Sequence, residues 1–413
     1  MKVVVLGADS PIGLAIIRDL GRCGFAVTAL GRKRSALGLV SKYCQQPLVR
    51  AKDGEPLLQQ LLQLGQLTKP AALIAISETD IAMLNRWRAQ LVLHFKLLFA
   101  DDAAMATVLD KSLTQQNAAA VGIDTPASWQ LTALSELGEI ETQLQYPLIL
   151  KWANPHQVSA LLQQAGLPLH KIQYCQNLQE LNACLAPYQA IGYFPMIQRY
   201  YAGHGLGQFF LCRDGESLIQ FQHERVHEWP PEGGSASLCK AVDNQLHQAC
   251  AERSKALLKR LNWQGVAMVE YRYDPGHKQY VLMEINGRFW GSTPLSVAAG
   301  ACFASHLVKG LASQQPVKQP DIKLRYCRYM IPELKRIARI VLQPDKIMDP
   351  QCHFNKWSEL AAFMGYFFHP RCRYYVFALD DPAPFFADLR QAAQKMLQPL
   401  LRRLRTQKIV HKG

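Results

Sequence analysis

The sequence predicts an α/β protein in three successive parts: a doubly wound parallel sheet, an α+β core rich in hairpins, and a basic helical C-terminal segment. Over the first hundred residues, short apolar strands alternate with helical segments, which is typical of parallel βαβ units. From Tyr146 onward, short strands are separated by turn signals such as Arg213-Asp-Gly-Glu216. The segment from Asp321 onward is rich in Lys and Arg, which predicts the basic third part.

The first part begins with a strand over Lys2–Leu6, a glycine turn and a helix through Leu14–Leu20. A second strand follows at Phe25–Leu30, and a third at Ala71–Ile76 comes after a helix through Leu57–Leu64. Apolar runs of this length, bounded by turn residues, are typical of strands buried on both faces. We therefore expect a Rossmann-like domain over residues 1–105.

The second part is expected to divide into a small subdomain over residues 106–195 and a large one over 196–313. Asp110 is the predicted N-cap of a helix that ends at Gly122. A linker over Gln314–Pro320 should join the core to a basic segment over residues 320–413. The other expected core elements are strands at Leu148–Lys151, Met196–Tyr201, Phe209–Cys212, Leu218–His223, Gly265–Tyr273 and Gln279–Arg288, and a helix through Asn244–Leu261.

Composition excludes several classes of protein. No run approaches 18 apolar residues, so no membrane-spanning helix is predicted, and the apolar run after Met1 is too short for a signal-peptide core. The 11 cysteines include no Cys-x-x-Cys pair, which favours reduced thiols over a disulfide framework. We expect a cytoplasmic protein. Its net charge of +14 favours anionic partners.

The most informative segments are Val269-Glu-Tyr-Arg-Tyr-Asp274 and Tyr280-Val-Leu-Met-Glu-Ile-Asn-Gly-Arg-Phe-Trp290. A hairpin loop centred on His277 places Glu270 directly opposite Glu284. Two carboxylates about 5 Å apart across a strand pair repel each other and destabilise the sheet. A cation between them removes this objection.

Side-chain alternation places Leu282, Glu284, Asn286 and Arg288 on one face of the second strand. Magnesium prefers hard oxygen ligands, typically one or two carboxylates together with substrate phosphates. The pattern therefore favours a magnesium site. A solvated polar face is the alternative interpretation.

The pattern Glu-x-Asn-x-Arg on a strand, preceded by Val-Glu and an aromatic residue, resembles the metal-binding hairpin of the ATP-grasp superfamily. Other segments resemble further family motifs in the same order. These are Asp110-Lys111, the helix end Ala120-Val-Gly-Ile-Asp-Thr-Pro126, Tyr146-Pro-Leu-Ile-Leu-Lys-Trp152, Gln198-Arg-Tyr-Tyr-Ala-Gly203 and Gly291-Ser-Thr-Pro-Leu-Ser-Val-Ala-Ala-Gly300. The resemblance extends over about residues 1–310 and is to carboxylate–amine ligases similar to D-aspartate ligase and to carbamoyl-phosphate-synthase-like proteins.

The resemblance implies an α+β ATP-grasp fold and an ATP-dependent ligase that forms a C–N bond. A carboxylate would be joined to an amine through an acyl-phosphate, with release of ADP and phosphate. The implied cofactors are ATP and Mg²⁺, with Mn²⁺ as the alternative ion. The implied nucleotide-binding residues are Lys111, Lys151, Lys171, Gln198 and Tyr200, and the implied metal ligands are Glu270, Glu284 and Asn286.

Two arginines are the candidate catalytic residues. Arg288 shares a face with the metal ligands and is expected to support the transferring phosphoryl group. Arg225 precedes a loop with Gly234 and Ser235, and we expect these three residues to bind the carboxylate substrate, because a guanidinium donates two parallel hydrogen bonds to a carboxylate. An ion pair of Arg225 with Glu224 or Glu228 at the surface is the alternative.

Two other functions stay open. His223-Glu-Arg-Val-His227 has the letters of a zinc-hydrolase motif, with Glu252 as a third ligand, although its position on a strand separates the imidazoles by about 13 Å. Gly7-Ala-Asp-Ser-Pro-Ile-Gly13, with Arg32-Lys33-Arg34 after the next strand, imitates an NADP-binding fingerprint, which would suit a reductase or sensor. Ser10 stands there in place of the middle glycine.

The basic C-terminal segment has two amphipathic stretches, Leu334–Val341 and Phe386–Leu404. The plainer interpretation is two helices that pack on the body with solvated basic faces. The more specific interpretation is that the basic C-terminal segment makes weak contact with an anionic membrane surface. We expect small-molecule carboxylate and amine substrates and no nucleic acid as partners.

Overall fold

The computed structural model describes residues 1–67, 71–152, 155–170, 172–347, 349 and 352–394. Within them, the first sheet has the strand order β3-β2-β1-β4-β5, and all neighbouring strands are parallel. Its strands are β1 (Lys2–Leu6), β2 (Ala26–Gly31), β3 (Gln46–Val49), β4 (Ala71–Ala75) and β5 (Phe95–Leu97), and its helices are α1 (Pro11–Arg22), α2 (Glu55–Leu67), α3 (Glu78–Asn85) and α4 (Arg88–Leu91).

The central position of β1 explains its sequence. Val3, Val4, Val5 and Leu6 are fully buried, so the strand after its exposed first residue, Lys2, is a continuous apolar run rather than an alternating one. The Ser10 hydroxyl caps α1 by accepting the Gly13 N–H at 3.3 Å. The predicted strand Lys2–Leu6 is confirmed, and the predicted helix lies within α1.

The second sheet is antiparallel, with the order β6-β9-β7-β8 among the described strands. The Asp110 carboxylate caps α6 by accepting the Leu113 N–H at 3.0 Å, which confirms the predicted helix start. The strands are β6 (Ser128–Trp129), β7 (Leu148–Lys151), β8 (Gln173–Cys175) and β9 (Met196–Arg199), with helices α5 (Asp102–Leu109), α6 (Lys111–Ala119), α7 (Leu137–Ile140), α8 (Pro155–Gln164) and α9 (Leu178–Leu185).

The third sheet is the largest, with the order β14-β13-β10-β11-β12-β15-β16 among the described strands. Residues 383–394 are also helical. The strands are β10 (His204–Arg213), β11 (Glu216–Trp229), β12 (Ser235–Ala241), β13 (Gly265–Asp274), β14 (Gln279–Asn286), β15 (Tyr326–Arg328) and β16 (Cys372–Tyr374), and the helices are α10 (Gln248–Arg260), α11 (Thr293–Ala299), α12 (Phe303–Leu307), α13 (Met330–Leu342) and α14 (Lys356–Phe368).

The first and third sheets share hydrophobic clusters. Val3 of β1 lies in one cluster with Phe209 and Trp290, and Leu6 lies in a second cluster with Phe210. The same two clusters include Met268, Val269, Leu282 and Ile285, so the first domain and the β13–β14 hairpin share one core. Among the described residues, no single helix is long and apolar enough to cross a membrane. Within the same residues, only the segments Thr293–Ala299 and Phe303–Ala312, taken together, reach the length and apolar composition of a membrane span, and they are bent by 87° relative to each other.

The C-terminal segment differs from the predicted helical appendage. It contains helices, but β15 pairs with β12 and β16 pairs with β15, so the segment extends the large sheet. Asp381 joins it to the first sheet by accepting hydrogen bonds from Arg18 Nε at 2.9 Å, Ser41 Oγ at 2.6 Å and the Lys42 N–H at 3.0 Å. The part of the predicted amphipathic stretch beyond residue 394 lies outside the described residues.

Candidate active site

The β13–β14 hairpin places Glu270 opposite Glu284, which confirms the predicted pairing. The turn itself pairs Asp274 with Gln279. That register alone would place Glu270 opposite Met283. A bulge at Met283 shifts the register by one residue and brings the two carboxylates face to face.

The bulge also corrects the predicted faces of β14. Strict alternation placed Leu282 beside Glu284, whereas Leu282 is 2% exposed and packs in the same cluster as Ile285. Glu284 itself is exposed. The buried Asn286 donates from Nδ2 to Glu284 Oε1 at 2.7 Å. The two polar residues therefore share a side of the hairpin, as expected.

Arg225 is a cation in direct contact with Glu270. Its Nη2 lies 2.6 Å from Glu270 Oε2, and its Nη1 lies 3.3 Å from Glu228 Oε1 and 3.0 Å from the Gly234 carbonyl oxygen. Burial raises the pKa of Glu270, Arg225 opposes this effect, and Glu284 and Glu228 reinforce it. The cluster therefore holds more negative charge than Arg225 alone compensates, which favours a further cation.

The alternative interpretation of Arg225, a surface ion pair with Glu224 or Glu228, is only partly correct. Glu228 is a partner, but the arginine side chain is 14% exposed and its shortest contact is to Glu270. Glu224 instead pairs with Lys240 at 2.7 Å and with His247 at 3.0 Å. Arg225 is thus part of the half-buried carboxylate cluster.

Gly205 gives Arg225 its path to Glu270. Strand β10 lies between β11 and β13, so Arg225 on β11 must cross β10. A Cβ atom at position 205 would lie 2.5 Å from Arg225 Cδ and 3.0 Å from Glu228 Oε1. Sequence reasoning missed this role, for which the glycines of the strand segment His204-Gly-Leu-Gly207 were the available signal.

Lys111 and Lys151 come together near the hairpin from separate elements. Lys111 opens α6, and its Nζ lies 3.5 Å from the Trp152 carbonyl oxygen. Burial, helped by the charge of Lys111, lowers the pKa of Lys151 to about 8, while Glu284 and Glu270 act in the opposite sense. Burial also lowers the pKa of Lys111, and Glu284 opposes it. Lys171 lies outside the described residues.

Gln198 and Tyr200 lie at the end of β9, beside β7. Gln198 is 5% exposed, pairs with Ile149 in the sheet and donates from Nε2 to Ser128 Oγ at 3.0 Å. The Tyr200 hydroxyl donates to Asp349 Oδ2 at 3.1 Å. The C-terminal segment therefore reaches Tyr200, one of the predicted nucleotide-binding residues, a contact that sequence reasoning did not foresee.

Arg288 forms an ion pair with a helix of the first domain. Its Nε lies 3.0 Å from Glu78 Oε1. Glu78 is the first residue of α3, after the carboxyl end of β4. The predicted catalytic arginine thus links the β13–β14 hairpin to the first domain through Glu78, a partner that the sequence did not reveal.

The loop after β11 is held close to Arg225. The Gly234 N–H donates to Glu228 Oε2 at 3.2 Å. A Cβ atom at Gly234 would lie 2.1 Å from the Trp229 carbonyl oxygen, so only glycine fits. Ser235 begins β12, is exposed and pairs with Trp229. The structure therefore brings Gly234 to Arg225 and leaves the Ser235 side chain accessible.

A cavity of about 240 Å³ adjoins this cluster. Arg272, which sequence reasoning missed, lines the cavity, and its Nη1 lies 3.7 Å from Glu228 Oε1. Its position two residues after Glu270 on β13 was an available signal. Tyr200 and Arg225 are further lining residues. A larger cavity of about 320 Å³, near Arg88, touches none of the predicted site residues, and we assign it no role in the site.

The two histidines of the zinc alternative have different surroundings. His223 is 1% exposed and packs edge-on against Phe209, and burial lowers the pKa of its imidazole to about 3. His227 Nδ1 contacts Glu333 at 3.0 Å, while Glu252 pairs with Lys255. Within the described ranges, no group of three or more His, Cys, Asp and Glu residues is arranged to hold a metal.

The glycine turn of the NADP alternative is partly covered. The Ala8 carbonyl oxygen accepts the Gly38 N–H at 2.8 Å, and Ala8 is fully buried. The Asp9 carboxylate accepts the Arg32 N–H at 2.9 Å. These contacts place a carboxylate at the turn and give no support to a dinucleotide site there.

Comparisons with known proteins agree with this architecture. Residues 235–314 match the family model for the carbamoyl-phosphate synthase L chain, ATP binding domain. A search of curated proteins finds no significant match. N5-carboxyaminoimidazole synthetase from Staphylococcus aureus is similar at a TM-score of 0.59 and 14% identity, over 79% of this chain and 81% of that chain.

Two further solved structures have similar scores. Biotin carboxylase from Campylobacter jejuni, in an ATP complex, matches at a TM-score of 0.59 and 15% identity, over 79% of this chain and 74% of that one. L-amino acid ligase from Bacillus licheniformis matches at 0.55 and 15%, over 77% of this chain and 75% of that one. At such identities the likeness establishes the fold.

Proposed function

We propose, from the premise that this chain has the ATP-grasp fold, that it is an ATP-dependent ligase. It would join a carboxylate to an amine through an acyl-phosphate and release ADP and phosphate. The observation that carries this proposal is the facing pair Glu270 and Glu284, with Lys111 and Lys151 both close enough to Glu284 for its charge to oppose the lowering of their pKa values. Two lysines and two carboxylates suit a nucleotide phosphate chain and its metal ion.

The residues at the hairpin fit a magnesium ion. Glu270 and Glu284 supply carboxylate oxygens, and Asn286 would supply its amide oxygen by turning the side chain that now donates to Glu284. The raised pKa of Glu270 reflects burial and uncompensated negative charge. Bound magnesium would stabilise the negative charge that develops on the phosphates during transfer.

In the first step the substrate carboxylate attacks the γ-phosphorus of ATP. Lys111 and Lys151 neutralise phosphate charge from two separate elements. Arg225 orients the attacking carboxylate, because a guanidinium can donate two parallel hydrogen bonds to it. While no substrate is bound, its contact with Glu270 keeps this arginine in place. Arg288 supports the transferring phosphoryl group from the same side of the hairpin.

In the second step the amine displaces phosphate from the acyl-phosphate. Water would hydrolyse this intermediate, so the site must exclude it. The ion pair between Arg288 and Glu78 brings the first domain to the hairpin. We propose that this domain forms part of the amine pocket.

The test is magnesium-dependent ADP release, screened against pooled carboxylates and pooled amines, with the product mass read out. We expect release only when both pools are present, and a product that has lost one water. Release that needs no amine, or a product without an amide bond, would contradict a carboxylate–amine ligase.

Arg225→Lys tests the carboxylate step separately. It should lower kcat/KM for the carboxylate by roughly 10- to 150-fold, because a charge-assisted hydrogen bond is worth about 1.5–3 kcal/mol. Nucleotide affinity should hardly change. The exposed Arg260→Lys is a matched control that should leave both quantities unchanged. A loss confined to ATP affinity would remove Arg225 from the carboxylate site.

A further inference from the structure

Helix α14 presents apolar side chains to solvent. Trp357 is 70% exposed, Met364 is 49% exposed and Phe368 is 83% exposed. Every exposed Trp or Phe among the described residues lies between Trp357 and Phe386. A soluble protein rarely leaves aromatic side chains clustered in this way unless the surface binds something.

These side chains share one face of the helix. At 100° per residue, Leu360, Met364, Trp357 and Phe368 span about 80° of the helix circumference. Phe363, the buried residue of α14 at 8% exposure, lies about 60° beyond Leu360 around the helix, with its ring over the Arg328 guanidinium. Packing against the body therefore uses one side of α14 and leaves a continuous apolar strip outside.

Basic residues flank the strip at both ends. Lys356 begins the helix, and its Nζ lies 5.6 Å from the centre of the Trp357 ring. Arg371 and Arg373 follow the helix and are exposed. The acidic residue of α14, Glu359, is already paired with Arg336 at 2.8 Å. The free charge around the strip is therefore positive.

We propose that α14 docks flat on an anionic lipid bilayer. Its aromatic strip would enter the interface, and Lys356, Arg371 and Arg373 would contact the headgroups. The sequence beyond Asp388 adds seven more Lys and Arg and no acidic residue. A second copy of the chain fits less well, because a two-fold contact through α14 brings like charges together at both ends.

The experiment measures binding of the full chain to vesicles of phosphatidylcholine mixed with phosphatidylglycerol, and to vesicles of phosphatidylcholine alone, by flotation. We expect binding to the anionic vesicles that weakens with salt. Trp357→Ser/Phe368→Ser should lower the partition coefficient by roughly 100-fold, since burial of each large apolar side chain is worth about tenfold or more. Leu93→Ser/Leu246→Ser, at positions 71% and 60% exposed, is the matched control and should bind as the parent does.

A conservative variant keeps the test independent of folding. The chain has seven tryptophans, and the structure describes all of them. Among these seven, Trp357 is the one whose side chain is exposed. Brominated lipid should therefore quench the emission of the parent and not that of Trp357→Phe, which should still bind. Absence of binding to anionic vesicles, or equal binding by the serine double variant, would overturn the proposal. So would a dimer in sedimentation velocity that the serine variant abolishes, which would assign the strip to a second copy.

Discussion

Lys151 should make nucleotide affinity depend on pH. With a pKa of about 8, this lysine is roughly nine-tenths protonated at pH 7 and roughly one-tenth protonated at pH 9. If the ammonium form binds the phosphates, apparent affinity scales with the protonated fraction, and the dissociation constant should rise about tenfold between these pH values. Nucleotide affinity should therefore be highest below the pKa of Lys151 in the folded protein and should fall as the pH rises through that value.

The measurement is calorimetric titration with ADP, which avoids turnover, from pH 7 to pH 9. Lys151→Gln should bind more weakly and show no such pH dependence. Lys111→Met should move the fall in affinity to higher pH, because Lys111 is one of the causes that lower the pKa of Lys151. The exposed Lys259→Gln should behave as the parent does. A flat profile for the parent, or an unchanged slope in Lys151→Gln, would refute this reasoning.

Three further predictions concern single side chains. Glu284→Gln should lower magnesium-dependent ADP release by at least about 100-fold, because loss of one metal-binding carboxylate weakens stabilisation of the charge on the phosphates by several kcal/mol. The melting temperature of this variant should equal that of the parent. Gly205→Ala should displace Arg225, which its Cβ would approach to 2.5 Å, and should raise KM for the carboxylate roughly tenfold without changing ADP affinity. Asp381→Ala should cost about 3–5 kcal/mol in urea unfolding, because it strands a buried arginine, whereas Asp380→Ala, at an exposed pair, should cost below about 1 kcal/mol.

Elements that depend on local pattern were predictable. Val3–Leu6 is apolar because it is buried on both faces, and Asp110 caps α6 through a contact three residues away. The pairing of Glu270 with Glu284 was also predictable, but the bulge that produces it was not. The bulge at Met283 follows from packing of Leu282 in the core, and nothing in the local sequence marks it.

Contacts between distant segments were not predictable. Glu78 meets Arg288 from a helix of the first domain, more than 200 positions earlier in the chain. Strand β15 is three residues long, too short to show a period. The expectation that the basic face of the stretch Leu334–Val341 is solvated fails at Arg336, which is 5% exposed and pairs with Glu359 at 2.8 Å. Its guanidinium also lies 5.3 Å from the centre of the Phe354 ring, so a carboxylate and an aromatic ring replace water around this cation.

The Arg18–Asp381 pair also sets an order of events during synthesis. Its two members are separated by 363 positions in the chain, so the ribosome releases the cation long before its partner exists. Until Asp381 emerges, a nascent first domain must keep Arg18 hydrated or leave it buried without compensation, which costs several kcal/mol. Strand β12 meanwhile lacks β15 beside it and presents an open edge. The first domain can therefore complete its buried contacts only after residue 381 has been synthesised.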